Sequence, residues 1–143
     1  MSQSNTQQGQ IVLPANTNLK GKEGLICQIT KNATTGAPSF HISAHQDYIR
    51  PMFVITDGDE QGKSTAAMPI SPDRSIRVKL TGTCEAGDII VTAPVGSTGG
   101  QVRKMPTSGS HTFAIVGVAE EDGVSGQLVK IRPHRLGEQV TIS

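Results

Sequence analysis

Two stretches of the chain repeat one pattern of apolar and polar positions. Ile115–Pro133 (IVGVAEEDGVSGQLVKIRP) sets two short β-branched runs, Ile115–Val118 and Leu128–Ile131, around an acidic connector containing glycine. That is the signature of a β-hairpin with a longer loop. Phe53–Ile70 (FVITDGDEQGKSTAAMPI) follows the same plan upstream. Superimposing Gly62 on Gly126 puts Val54 on Val118 and Asp57 on Glu121. A similar shift, about 63 residues, brings Gly24-Leu25-Ile26 onto Gly87-Asp88-Ile89. The chain therefore reads as a degenerate duplication of one small β unit, spanning about 22–71 and 84–133.

The remaining segments fit this reading. Gly24–Thr30 is a strand, Asn32–Pro38 (NATTGAP) is turn chemistry, and Ser39–Ser43 returns as a strand. His45–Met52 is an irregular link. Phe53–Thr56 and Ala66–Ile70 form the first hairpin. Ser75–Leu80 alternates cleanly, with Ile76, Val78 and Leu80 on one face and Arg77 and Lys79 on the other. Ile89–Thr92, Gln101–Lys104 and Gln139–Ile142 are further short strands, and Pro94–Gly100 is a glycine-rich loop. At least eight short strands and no convincing helix predict an all-β fold, a compact small β-barrel or β-sandwich.

Composition narrows the picture. At 143 residues the chain suits one domain, expected over 19–143. Residues 1–18 are expected to be a flexible N-terminal arm, because Met1–Gln10 is polar and aperiodic and cannot offset its ordering entropy alone. Ile11, Val12 and Leu13 would be the arm's apolar foot on a partner. With three Phe, one Tyr and no Trp, the core must come from Val, Ile, Leu and Ala. Sixteen Gly and eight Pro imply many turns. A net charge of +1 creates no strong field for nucleic acid or an anionic membrane. No apolar run approaches the ~20 residues of a membrane span, and the first residues do not read as a secretory signal.

Candidate chemistry is sparse. Gly58–Ser64 (GDEQGKS) is one residue short of the Walker A spacing, and Asp59 and Glu60 would repel a phosphate. Asp57, Asp59 and Glu60, with Glu120, Glu121 and Asp122, form two acidic clusters that lack EF-hand spacing. They read as solvated hairpin ends. The histidines show no zinc-binding pattern, and no G-x-S-x-G elbow occurs. Cys27 and Cys84 do not fall on equivalent positions of the two units. Small free thiols in apolar surroundings suit them, with a disulfide still open. No enzyme, cofactor or metal site is expected. The basic residues Arg77 and Lys79, and Lys130, Arg132 and His134, each share a strand face. That face meets solvent or an acidic surface on a partner.

The second unit, CEAGDIIVTAPVGSTGGQVRKM followed by FAIVGVAEEDGVSGQLVKIRP, resembles the head decoration (capsid cement) proteins of tailed phages. The resemblance rests on the turn Ala86-Gly87-Asp88, on Gly100-Gln101-Val102, on Gly117-Val118-Ala119, and on Ser125-Gly126 before Leu128–Ile131. It covers about 21–137. It implies a β-tulip-like fold and a structural virion protein, made in the host cytoplasm and located on the outer surface of the capsid. There it would stabilise contacts between major capsid protein subunits, as a homotrimer and without catalysis, cofactor, nucleic acid or membrane. Ile11, Val12, Leu13, Arg77, Lys79, Lys130 and Arg132 are the candidate capsid or subunit contacts. The charged tip Asp57–Lys63, the long link and the polar arm depart from the family pattern. The competing expectation is a receptor- or glycan-binding β module of a tail or fibre, although the chain has few aromatics to stack on sugars.

Overall fold

A computed structural model describes residues 9–42, 52–93, 99–109, 111–134 and 138–142. Among these residues the chain is all-β, with eleven strands and no helix. The first five are β1 (Ile11–Pro14), β2 (Ile26–Lys31), β3 (Pro38–Ile42), β4 (Phe53–Asp57) and β5 (Ser64–Pro69). They form one antiparallel sheet in the order β1-β5-β4-β2-β3. The next are β6 (Ile76–Lys79), β7 (Ile89–Thr92), β8 (Val102–Lys104), β9 (His111–Ala119), β10 (Leu128–Pro133) and β11 (Gln139–Ile142). Their order is β6-β10-β9-β7-β8, with β11 added to β9. Adding five to each strand number of the first sheet yields the order of the second.

The registers repeat as well. Ile11↔Ala67 through Pro14↔Ser64 joins β1 to β5, and Ile76↔Ile131 through Lys79↔Leu128 joins β6 to β10. Ile26 lies opposite Val54, and Ile89 opposite Val118. A parallel bridge then brings the two outer strands of each sheet together, Ala15↔Phe40 in the first and Leu80↔Val102 in the second. Each sheet thus curls until its edges meet. The two closures use opposite size pairings, Ala with Phe and Leu with Val, so each fills its interior with a different division of volume.

Burial follows these layers. Leu19, Cys27, Phe40, Phe53, Ile55 and Ala67 pack inside the first unit. The Phe40 and Phe53 rings lie 5.6 Å apart at a tilt of 59°. A second cluster joins both units, with Ile26, Val54 and Ile70 packed against Ile76, Val78, Ile90 and Val129 among others. Phe53, Val54 and Ile55 are consecutive yet all buried, because β4 is covered on both faces. β6 alternates buried and more exposed residues, because its second face stays open. A third cluster sets Val91, Phe113 and Ile115 against Met105, Val140 and Ile142.

The structure corrects one expectation. Residues 11–14 are not a free arm but strand β1, and Ala15 and Leu19 beyond it are fully buried. β1 is the counterpart of β6, so each repeat begins one strand earlier than the pattern of the hairpins suggested. Residues 1–8, most of the His45–Met52 link and most of the Pro94–Gly100 loop lie outside the described residues.

Candidate functional site

The seven candidate contact residues fall on three strands. Ile11, Val12 and Leu13 are on β1, and Arg77 and Lys79 are on its counterpart β6. Lys130 and Arg132 are on β10, beside β6. Their directions differ. Ile11 and Leu13 pack against the first-unit core, whereas Val12 points outward and is 58% exposed. Only Val12 of the three is free to touch a partner, because strand side chains alternate between faces.

Arg77 and Lys130 lie directly opposite each other, and Lys79 lies opposite Leu128. Like charges facing across a ladder repel. Glu121 relieves this: its Oε1 accepts from Arg77 Nη1 at 2.9 Å and from the Lys130 backbone N–H at 3.0 Å. The Lys130 N–H bond, then the Arg77 bond, holds the Glu121 carboxyl below the usual carboxylate range. Arg77 also donates to Leu128 O at 3.0 Å. Glu120 Oε2 lies 3.9 Å from Arg132, and Glu120 also accepts from the Ser75 hydroxyl. Among the described residues Lys79 and Lys130 have no ion pair. The face therefore presents four cations against two carboxylates. His134, grouped with them by sequence, instead meets Glu138 Oε2 at 3.1 Å through Nδ1.

The acidic connectors are more structured than solvated hairpin ends. Glu121 folds back onto its own hairpin, and Asp122 Oδ1 accepts from the Ala86 N–H at 2.9 Å. In the first unit Glu60 pairs with Lys63 at 3.1 Å, and the Asp59 N–H donates to Thr65 Oγ1 at 3.2 Å. The loop that superficially resembles a phosphate cradle is thus a hairpin tip between β4 and β5. Among the described residues no three His, Cys, Asp or Glu side chains gather as a metal site.

Cys27 and Cys84 are both buried and free. Burial pushes the Cys27 thiol up to about 12, and burial followed by the Asp88 charge raises Cys84. Both thiols are held as packing groups, since the reactive form is the thiolate. A cavity of about 460 Å³ lies between the β2–β3 turn and the β4–β5 tip, lined by Asn32, Thr34, Thr35, Gln61, Pro14 and Ala15. The Asn32 side chain is engaged there. Its Oδ1 accepts from the Thr34 and Thr35 N–H groups, and its Nδ2 donates to Asn16 Oδ1.

Sequence reasoning missed the junction between the units. The Lys79 N–H donates to Gly24 O at 2.8 Å, and the Ile26 N–H donates to Gly100 O at 2.7 Å. The Leu128 side chain lies where a Cβ on Gly24 would point, 2.2 Å from that position. Of the matched glycines Gly24 and Gly87, Gly24 sits at this contact, whereas a Cβ on Gly87 would meet nothing within 4 Å. A comparison with known protein families finds no match for this chain, and a comparison with curated proteins finds none either.

Proposed function

We propose that this protein is a structural coat component, not an enzyme, that binds the outer surface of an icosahedral phage capsid and ties neighbouring major capsid protein subunits together. The observation that carries the reading is the β6–β10 face, where Arg77, Lys79, Lys130 and Arg132 outnumber Glu120 and Glu121 on rigid strands. Such a face adheres to an acidic protein surface through long-range attraction and register. The motif resemblance of the second unit supports the same reading. Several copies, three in the resembling family, would multiply weak contacts by effective concentration. No cofactor is invoked.

The test is co-sedimentation with mature and with unexpanded shells of the parent phage. Saturable binding to mature shells, reduced when Lys79 and Lys130 are both changed to Glu, is the expected result. A second reading, a receptor- or glycan-binding module of a tail or fibre, is favoured by the cavity lined by Asn32, Thr34, Thr35 and Gln61. Absence of shell binding together with a saccharide hit on a glycan array would replace the first reading by the second.

A further inference from the structure

The two units meet along a seam, and Met68 stands at its edge. Met68 lies opposite Val54 in the β4–β5 ladder and packs against the cluster that ties Val54 and Ile70 to Ile76 of β6. Unlike Val54 and Ile76, it is only half-buried. A groove of about 250 Å³ runs beside it, lined by Met68, Val54, Ile55, Thr56, Arg74 and Ile76 among others.

Arg74 belongs to residues 70–75, which carry the chain from β5 of the first unit to β6 of the second. Its Nε lies 3.5 Å from Asp73 Oδ1, while its Nη1 donates to Met68 Sδ at 2.9 Å. A thioether sulfur is a weak acceptor. The guanidinium N–H directed at it is therefore a donor short of a full partner. The other described methionines differ. Met52 is 2% exposed and sealed within the same cluster. Met105 packs against the third cluster, and among the described residues no hydrogen bond reaches its sulfur.

We propose that Met68 is an oxidation site whose sulfoxide is captured by Arg74, a redox-sensitive latch on the seam between the units. The reactant is a hydroperoxide small enough to enter the groove. A lone pair of the Met68 sulfur attacks one peroxide oxygen, and the S–O bond forms as the O–O bond breaks. The sulfur gives up two electrons and the peroxide is reduced. The proton on the transferred oxygen passes to the leaving oxygen, which departs as water or an alcohol. Arg74 then turns from the sulfur to the new oxygen, exchanging a weak bond for a charge-assisted one. That bond offsets the penalty of a polar oxygen at the edge of an apolar cluster. The latch uses residues of the seam alone and does not depend on the capsid reading.

The test treats the full-length folded chain with hydrogen peroxide, locates added oxygen by peptide mass spectrometry and measures thermal midpoints. Met68 should gain oxygen at least about tenfold faster than Met52, which reacts only when the core opens. A Met68 no faster than Met52 overturns the proposal. Midpoints are compared on samples oxidised at Met68 and not at Met52. Met68→Leu keeps the packing volume and reads the background shift from Met105. With that background subtracted, oxidation should lower the midpoint of Arg74→Ala by about 5 °C more than that of the parent. Arg74→Gln, a milder change that removes the charge, should show the same extra loss on a smaller scale. An equal loss in the parent and both Arg74 variants overturns the latch. Shell binding plays no part in either readout.

Discussion

Gly117 and Arg132 approach so closely that a Cβ on Gly117 would lie 2.2 Å from the Arg132 carbonyl oxygen. Gly117 is also opposite Pro133 in the β9–β10 ladder and opposite Ile90 on its other side. Its backbone needs no left-handed conformation, so space alone demands glycine here. Gly117→Ala should force β10 away from β9 at a cost on the order of 3 kcal/mol, seen as a lowered thermal midpoint. An unchanged midpoint would mean that β10 can shift freely, contrary to the packing described.

Strand β1 completes the first unit rather than dangling from it. Deleting Met1–Pro14 should expose the edge of β5 and uncover the first-unit core, where Ile11 and Leu13 pack. Two such side chains alone contribute on the order of 3 kcal/mol. Urea unfolding should show a lower midpoint and limited proteolysis faster cleavage. A truncated chain as stable as the parent would return β1 to the status of an appendage.

Glu121 restrains the positive face. Glu121→Gln should release Arg77 and lengthen retention on a cation exchanger at neutral pH. The carboxyl is held below its ordinary range in the folded state, so its contribution is present above the unfolded value and disappears as pH falls through the folded one. The Glu121 contribution to the thermal midpoint of the parent should therefore be lost under acid conditions, and the acid decline should be smaller in the variant. Equal acid profiles for the two proteins would remove Glu121 from this role.

The two thiols should be silent. A chromogenic disulfide reagent at mildly alkaline pH should titrate neither Cys27 nor Cys84 in the folded protein and both after denaturation. Rapid reaction of one thiol before unfolding would mark a local opening around it.

The hairpins β4–β5 and β9–β10 were legible because each brings its signal within one short stretch: two apolar runs and a glycine-bearing connector. The basic face was legible from simple alternation in β6 and β10. Glu121 was misread as solvated because its partners, Arg77 and the Lys130 N–H, are distant in sequence or belong to the backbone. β1 was misread for a similar reason. Three apolar residues after a polar tail look the same whether they dangle or pair, and the partner strand begins only at Ser64.

Local order was determined by the sequence itself. Side-chain alternation, turn residues and the repeated glycines specify the strands, their inward faces and the duplication, because these depend on neighbours along the chain. Tertiary structure alone decided which strands close each sheet and which face of the first unit the second unit covers. Those outcomes depend on backbone groups and surfaces meeting across long loops. No pattern within a single segment records whether such a meeting takes place.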